Sequence, residues 1–268
     1  MEFLALLPNL VTFNDEAHHI HENKSYGEIN EVEWQKSLNE ISKPKGTKFI
    51  QIDFSATPYD VTGSGQKRTE HYFPHIIVDF KLETAIHKGL VKTIALDRRN
   101  EIASLSTDDL NFKAIREGNT VIGLSDGQRV MLRAGLTKLQ MLETEFEKLT
   151  TGNEKLKGKF PKMFVICEDT KVTPFVVEFL IQEGLSENDV VQIDSGQKEY
   201  LSEKDWKKLK QQLFKVDEYK KPKVIVSVLM LREGFDVNNI CVIVPLRSAE
   251  AKILLEQTIG RGLRLMWR

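Results

Sequence analysis

Residues 224–245 read VIVSVLMLREGFDVNNICVIVP, in which two short apolar runs flank a polar segment that contains a glycine. The runs Val224–Val228 and Ile240–Pro245 are rich in β-branched residues and too short for stable helices, so they predict β-strands. Neither run alternates with polar residues, which is typical of parallel strands buried on both faces of a sheet. This stretch therefore predicts an α/β fold.

The same alternation of short apolar runs and helical segments fills the rest of the carboxyl-terminal part. Further strands are predicted at Met163–Cys167 and Val190–Ile193, and helices at Thr173–Glu183, Glu203–Phe214 and Glu250–Ile259. Parallel sheets of this kind bind ligands at the carboxyl ends of their strands. The residues that follow each strand are therefore the candidate site residues.

The amino-terminal half is a second α/β segment. Its predicted elements are strands at Leu10–Asn14, Lys48–Phe54 and Leu90–Leu96, an extended stretch at 72–80, and helices at Glu31–Ile41 and Leu82–Lys88. Residues 97–127 are polar without a clean period, whereas Arg129–Leu149 carries an apolar stripe at helical spacing. We therefore predict a first lobe at 1–96, a linker with a connector helix at 97–150 and a second lobe at 151–268.

Composition excludes several classes of protein. The 268 residues contain 38 Lys and Arg against 39 Asp and Glu, and this balance excludes a strongly basic, histone-like binder. Cys167 and Cys241 lie in apolar runs and predict buried free thiols in a reducing, cytoplasmic setting. The longest apolar runs are far shorter than the roughly 20 residues of a membrane span, and the start lacks a basic signal-peptide region. We expect no contact with a membrane.

The first chemical motif is Asp15-Glu16-Ala17-His18, directly after the strand Leu10–Asn14. A carboxylate fixed at a strand end can hold Mg²⁺, and the next acid can orient an attacking water, which is the pairing that phosphoryl transfer requires. Asp15 and Glu16 are therefore candidate metal and catalytic residues, and His18 is expected to couple them to a neighbouring domain. The alternative is a solvated strand-to-helix turn.

Two further motifs also follow predicted strands. Ser55-Ala56-Thr57 comes after Lys48–Phe54, where its hydroxyl groups can bond to the acids of an adjacent strand; the alternative is a turn made by Thr57 and Pro58. Gly234 allows close approach of the backbone to a ligand, and Asp236 can accept hydrogen bonds from a ribose. The alternative there is a glycine turn before the next strand.

The fourth motif is QTIGRGLR at residues 257–264. Arg261 and Arg264 lie three residues apart, so a helical turn directs both guanidinium groups the same way, toward a triphosphate bound across an interface. Such an arginine contributes a factor of roughly 10³–10⁵ to the rate in comparable enzymes. The alternative is a helix end with glycine caps and arginines that compensate the helix dipole.

In this order, the four motifs resemble those of superfamily-two helicase-type motors. Asp15–His18 resembles the Walker B box and Ser55–Thr57 the coupling motif, Gly234 and Asp236 match the fifth motif, and Gln257, Gly260, Arg261 and Arg264 match the sixth. Within that superfamily, nearly the whole chain resembles the Res subunit of type III restriction enzymes. The phrases that carry this resemblance are FSATPY at 54–59, PHIIVDF at 74–80, MLRAGL at 131–136, FVICEDT at 164–170, LREGFDV at 231–237 and PLRS at 245–248.

The resemblance implies RecA-like parallel-sheet lobes of the P-loop NTPase helicase architecture. It implies ATP and Mg²⁺ as cofactors, double-stranded DNA as substrate, a methyltransferase subunit as partner, and ATP-driven translocation on DNA or opening of DNA, coupled to a separate endonuclease domain. His18, Gly234, Asp236, Gln257 and Gly260 would surround the nucleotide. The strand-end loops Thr170-Lys171 and Arg247-Ser248 are candidate DNA-backbone contacts.

The chain departs from the family pattern in its phosphate-binding loop. No G-x-x-x-x-G-K-[ST] occurs, since GSGQK at 63–67 has the wrong spacing and Gly158-Lys159 is followed by Phe160. We therefore expect a truncated first lobe with an open edge and uncovered apolar surface, through which a second copy or another chain can pair. We also expect the isolated chain to be nearly inactive, because nothing replaces the P-loop lysine.

Two other functions fit the residues less well. The chain could be a catalytically silent module that binds DNA or a subunit through a basic patch in Lys198–Lys223, although such a stretch also fits a solvated helix face. It could also be another doubly wound α/β enzyme, such as a glycosyltransferase. The binding module is expected to show a salt-dependent affinity for DNA. The other α/β enzyme is expected to lack a nucleotide-shaped cleft between two lobes.

Overall fold

The computed structural model describes residues 2–15, 17, 33–62, 69–73, 75–96, 110–153, 158–193, 202, 204, 216–228, 237–246, 259–260 and 262–266. The chain forms two compact units, Met1–Phe80 and Lys81–Arg268. The helices are α1 (Glu2–Leu6), α2 (Glu33–Ser42), α3 (Leu82–His87), α4 (Asp126–Thr150) and α5 (Thr173–Gln182), with short 3-10 turns at Gly46–Lys48, Glu187–Asp189 and Val216–Glu218. The strands are β1 (Leu10–Asn14), β2 (Phe49–Asp53), β3 (Tyr59–Thr62), β4 (Thr69–Tyr72), β5 (Ile115–Glu117), β6 (Thr120–Gly123), β7 (Lys162–Ile166), β8 (Val190–Ile193), β9 (Val224–Ser227) and β10 (Ile240–Pro245).

The first unit is built on a parallel pair of strands. β1 and β2 run in register from Leu10 opposite Phe49 to Asn14 opposite Asp53. One side is covered by α2, whose Leu38 packs with Ala17 and Phe49. β3 and β4 form a separate antiparallel hairpin.

The other side of the β1–β2 pair is an exposed apolar face. It is formed by Val11, Phe13, Ile50 and Phe54, and Phe13 is 67% exposed. The Phe13 and Phe54 rings stack with their centroids 6.3 Å apart. The described residues of this unit therefore include an exposed apolar face on the parallel pair.

The second unit contains a four-stranded parallel sheet in the order β10-β7-β9-β8. Every residue of β7 and β9 is buried, as predicted for strands covered on both faces. Helices α4 and α5 cover one face, and the core there includes Leu132, Leu136, Leu139, Val176, Leu180, Met163, Val165, Val226 and Val244. The opposite face packs Phe164, Ile166, Ile193, Val216, Ile225, Val237 and Ile240. The predicted α/β fold with a parallel sheet is confirmed.

Helix α4 belongs to the core of the second unit. It begins with a capping box in which Ser125 and Gln128 bond to each other's backbone N–H groups. Gly135 faces the sheet so closely that a Cβ atom there would lie 2.5 Å from Val244 Cγ2 and 2.8 Å from Met163 Sδ. The amphipathic stripe that predicts a connector helix is therefore the stripe that packs on β7 and β10.

Two predictions of local structure are wrong. Leu90–Leu96 forms no strand, because no described strand pairs with its backbone in a sheet, and its apolar residues Leu90, Ile94 and Leu96 are exposed. Conversely, the polar region 97–127 contains the hairpin β5–β6, whose two-residue loop places Gly118 at φ +57°. Gly118-Asn119 between two short runs with β-branched residues was the signal for that turn.

Several other expectations concern parts of the chain that the structure describes little or not at all. The predicted helices Glu203–Phe214 and Glu250–Ile259 lie almost wholly outside the described residues, as does the loop at 63–67. Cys167 is buried as predicted, whereas Cys241 is only half-buried, and neither of these two described residues forms a disulfide. No helix among the described residues combines the length and the apolar content that crossing a bilayer requires.

Candidate functional site

The carboxyl ends of β1 and β2 bring two of the predicted motifs together. Asp15 directly follows β1, and Ser55-Ala56-Thr57 begins two residues after the end of β2. The backbone N–H of Phe54 donates to the Asn14 carbonyl at 2.8 Å, and the N–H of Ala17 donates to the Phe54 carbonyl at 2.9 Å. These two bonds extend the parallel pairing past the strands, so the acidic segment and the hydroxyl segment are neighbours.

A side-chain network reinforces this strand end. Asn14 Nδ2 donates to Asp53 Oδ1 at 2.7 Å, and Gln51 Nε2 lies 2.9 Å from Asp53 Oδ2. Two side-chain amides therefore donate hydrogen bonds to the Asp53 carboxylate. Sequence reasoning missed Asn14 and Asp53, although their positions at the ends of two predicted strands were the available signal.

The hydroxyl segment contains one strongly buried group. Ser55 Oγ accepts a hydrogen bond from the Thr57 backbone N–H at 3.1 Å, which makes a tight local turn. Thr57 is only 3% exposed, and among the described residues nothing bonds to its hydroxyl. A buried hydroxyl without a partner costs about 1–3 kcal/mol, so a partner gained in another arrangement would stabilise this position.

The acidic motif itself is only partly described. Asp15 is exposed after β1 and Ala17 is fully buried, whereas Glu16 and His18 lie outside the described residues. Within the described ranges no group of three His, Cys, Asp or Glu side chains is arranged to hold a metal ion. The exposed Asp15 carboxylate offers the kind of oxygen ligand that Mg²⁺ prefers.

In the second unit, the segment around Arg264 is held closely against β10. Residues 259, 260 and 262 are helical, Gly260 is exposed and Arg264 is half-buried. A Cβ atom on Gly262 would lie 2.7 Å from Ile243 Cδ1, so only glycine fits this approach without movement. The other predicted residues of the fifth and sixth motifs, Gly234, Asp236, Gln257 and Arg261, lie outside the described residues, as do Arg247 and Ser248.

Lys92 joins this segment to the start of β10. Its ammonium donates to the carbonyls of Asn238 at 2.6 Å, Ile240 at 2.8 Å and Gly262 at 3.1 Å. Its backbone N–H donates to the Leu263 carbonyl at 2.7 Å. Sequence reasoning missed Lys92, and no pattern in the sequence pairs it with residues so far along the chain.

The loop that follows β7 is bound to the hairpin β5–β6. Arg116 forms an ion pair with Asp169, and Lys171 Nζ donates to the Asn119 carbonyl at 3.1 Å. Glu168 Oε1 accepts from the Ala114 backbone N–H at 2.8 Å and from Gln128 Nε2 at 2.7 Å. Of the predicted DNA-contacting pair, Thr170 is half-buried with its carbonyl bonded to Thr173, whereas Lys171 is exposed.

This ion pair shifts the titration of both partners. Burial disfavours the ionised form of Asp169, but hydrogen bonds from Arg116 and from the backbone N–H of Lys171 outweigh it and hold the pKa of Asp169 below its usual value. The hydrogen bond to Asp169 in turn raises the pKa of Arg116. The pair therefore stays charged at neutral pH.

Acidification is expected to loosen the hairpin β5–β6. Because the pKa of Asp169 is lowered in the folded chain, its contribution to stability is complete above the unfolded value of about 3.9 and disappears as the pH falls through the folded value. The carboxylate is 40% exposed, so the loss is no more than about 1 kcal/mol. Amide hydrogen exchange of residues 115–123 as a function of pH measures it. Asp169→Asn is the control, and an equally steep rise in exchange in that variant would contradict the assignment.

The end of the lysine-rich stretch is largely neutralised by carboxylates. Lys221 pairs with Asp189 at 3.1 Å and Lys223 with Glu143 at 2.9 Å. Lys220 lies 3.5 Å from Glu147. The described part of Lys198–Lys223 therefore does not present a free basic surface of the kind a DNA-binding patch requires.

Comparisons with known proteins show a similarity of fold. No family model and no curated protein matches this chain. The structure is similar to that of the ATP-dependent Type ISP restriction-modification enzyme LlaBIII bound to DNA, with a TM-score of 0.51 and 12% sequence identity. The similarity covers 97% of this chain but only 17% of that protein. At this identity it concerns the fold alone, a mixed α/β architecture with parallel sheets.

Proposed function

We propose that this chain is part of an ATP-dependent DNA translocase or helicase motor of a type III restriction endonuclease, built from RecA-like lobes. The observation that carries the proposal is the joined carboxyl end of β1 and β2, where Asp15 and Ser55–Thr57 become neighbours through the backbone bonds of Phe54. Ligands of parallel α/β sheets bind at this end of the strands. A metal-binding acid beside a coupling segment is what a nucleotide-driven motor requires there.

The proposed roles divide between the two units. Asp15 and Glu16 would hold Mg²⁺, which neutralises phosphate charge when bound, and Glu16 would orient the attacking water. Arg261 and Arg264 would stabilise charge on the γ-phosphate as catalytic residues. Asp236 would bond to the ribose, and His18, Gly234, Gln257 and Gly260 would line the nucleotide.

The buried hydroxyl of Thr57 supports the coupling role. Thr57 is 3% exposed and its hydroxyl has no partner among the described residues, which is costly in this conformation, and a second conformation that supplies a partner would relieve the cost. A coupling segment alternates between two such arrangements as the nucleotide site changes. Ser55, Ala56 and Thr57 would in this way transmit the state of the acids to the DNA-binding loops at Thr170-Lys171 and Arg247-Ser248.

The proposed ligands and partners follow from the same assignment. The similar solved structure is an ATP-dependent restriction-modification enzyme bound to DNA, which supports ATP and DNA as ligands here. Mg²⁺ and the double-stranded form of the DNA are proposed from the resemblance of the motifs alone. A methyltransferase subunit would set the DNA sequence that is recognised. The exposed apolar face of β1 and β2 offers a surface for a second copy or another chain.

Asp15→Asn is expected to weaken Mg²⁺-dependent ATP binding at least about tenfold, because the variant loses a charged oxygen ligand. Thr57→Val is expected to leave ATP affinity within about twofold but to abolish any change in that affinity when duplex DNA is added. Equilibrium dialysis with labelled ATP, with and without Mg²⁺ and DNA, measures both effects.

Steady-state ATP hydrolysis by the chain is expected to stay near background, since no P-loop lysine occurs in its sequence.

The matched control is Asp79→Asn, which removes an exposed carboxylate from the same unit. ATP affinity that is independent of Mg²⁺ and equal in the Asp15 and Asp79 variants would refute the nucleotide assignment. Salt-dependent DNA binding without any ATP binding would favour the silent binding module instead.

A further inference from the structure

A lysine ammonium that bonds to three backbone carbonyls is a strong local constraint, and Lys92 does this beside the sixth motif. An ammonium carries three N–H donors and no acceptor, so it can hold three carbonyls around one point. Two of the carbonyls, those of Asn238 and Ile240, lie at the entry to β10, and the third is that of Gly262. Lys92 therefore fixes the distance between the sheet and the backbone two residues before Arg264.

Other contacts fix the same segment. The Lys92 backbone N–H bonds to the Leu263 carbonyl, and the Leu263 and Met266 side chains are buried. Gly262 lies so close to Ile243 that a Cβ atom would fit only if the end of the Ile243 side chain moved. Lys92 holds the backbone directly before Arg264, and the buried side chain of Met266 anchors the chain after it. We therefore expect the loss of the Lys92 ammonium to shift the Cα atom of Arg264.

We propose that Lys92 is a positioning residue, which holds the Gly262–Arg264 backbone against β10 so that Arg264 meets the γ-phosphate. This inference rests on the proposed function. Lys92 itself does not touch the nucleotide in this scheme, because its ammonium is engaged by carbonyls. Its role is to reduce the freedom of the arginine before the ligand arrives, and a displacement of about 1 Å at such a group is enough to cost a large part of its effect.

The test compares the preference of the chain for ATP over ADP, measured as the ratio of the two dissociation constants. Lys92→Met is expected to lower this ratio about tenfold, as Arg264→Gln does, because both remove a correctly placed charge at the γ-phosphate. A general loss of stability would scale the affinities for ATP and ADP together and leave the ratio unchanged. Lys138→Met removes the same charge from an exposed site on α4 and is expected to keep the ratio of the wild type.

Chemical rescue separates the ammonium from the rest of the side chain. Lys92→Cys alkylated with 2-bromoethylamine regains an ammonium at nearly the original length, and it is expected to recover the ATP preference that unalkylated Lys92→Cys lacks. Wild type treated in the same way controls for Cys167 and Cys241. If Lys92→Met does not fold, Lys92→Gln replaces it, and its single amide group is expected to give an intermediate ratio.

Hydrogen exchange tests the tether without any nucleotide. The Leu263 amide, which bonds to the Ile259 carbonyl at 3.1 Å, is expected to exchange faster in Lys92→Met, while amides of α4 keep their protection. An ATP preference that depends on Arg264 but survives in Lys92→Met would overturn this inference and leave the proposed function intact. A wild type whose ATP preference does not depend on Arg264 would overturn both, and unchanged exchange at Leu263 would refute the tether directly.

Discussion

Gly135→Val is expected to lower the free energy of unfolding by about 3 kcal/mol, because helix α4 cannot stay at its present distance from the sheet. The first added carbon atom would lie 2.5 Å from Val244 Cγ2 and 2.8 Å from Met163 Sδ. The thioether of Met163 can move, but Val244 is buried on β10 and its rotamer is stiff. The helix must therefore shift as a body, which disturbs the packing of Leu132 and Leu136 on the same face.

Urea unfolding followed by circular dichroism measures the change, and Lys138→Val is the matched control. It places the same β-branched side chain at an exposed position on the same helix and is expected to cost no more than about 0.5 kcal/mol. A double-mutant cycle sharpens the test: Gly135→Ala and Val244→Ala together should be more stable than the sum of the single changes, by about 1 kcal/mol. Equal effects at positions 135 and 138 would show that the close approach is not limiting.

The inner strands of the sheet in the second unit could be predicted almost to the residue because they are buried on both faces, whereas burial alternates along the edge strand β10. A strand that is covered on both faces needs apolar side chains at nearly every position, so β7 and β9 are visible in the sequence as nearly continuous apolar runs. The exposed segment Leu90–Leu96 shows the converse. Its apolar residues resemble a strand, yet among the described residues no strand forms a backbone ladder with this segment, and three of these residues stay exposed.

The sequence predicts those site residues that directly follow a strand. It does not predict those that are held in place by contacts with residues far away in the sequence. Asp15 and Ser55–Thr57 follow two predicted strands, and the parallel pairing of β1 with β2 brings them together. The ties from Lys92 to Gly262 and from Arg116 to Asp169 join residues far apart in sequence. A charged side chain looks the same in sequence whether it faces water or a carbonyl, so composition cannot identify these ties.

Lys162 illustrates how a sequence can mislead about a charged residue. It is the first residue of β7, where a lysine would be expected to reach into solvent, yet it is completely buried. Its ammonium donates to the carbonyls of Tyr219 at 2.6 Å, Pro222 at 2.7 Å and Lys220 at 3.1 Å, and it lies 5.8 Å from the centre of the Phe160 ring. The loop before β9 is therefore folded around the end of a central strand.

Lys162→Met is consequently expected to destabilise the second unit by about 3 kcal/mol, although methionine is apolar and of similar length. The substitution keeps the side-chain volume but leaves the carbonyls of Tyr219, Lys220 and Pro222 without their charged donor. A carbonyl left without a donor away from water loses more free energy than the net contribution of the hydrogen bond to stability. Urea unfolding gives the change in free energy, and amide exchange at Val224 and Ile225 reports whether β9 loosens first.

Lys220→Met is the control, since its side chain is exposed and its 3.5 Å contact with Glu147 is worth no more than about 0.5 kcal/mol, while its carbonyl still accepts from Lys162. If the two lysine variants unfold at the same urea concentration, the carbonyls at 219–222 find water in place of the ammonium. The loop before β9 would then be held by its own packing, and the buried charge would contribute nothing to the order of the sheet.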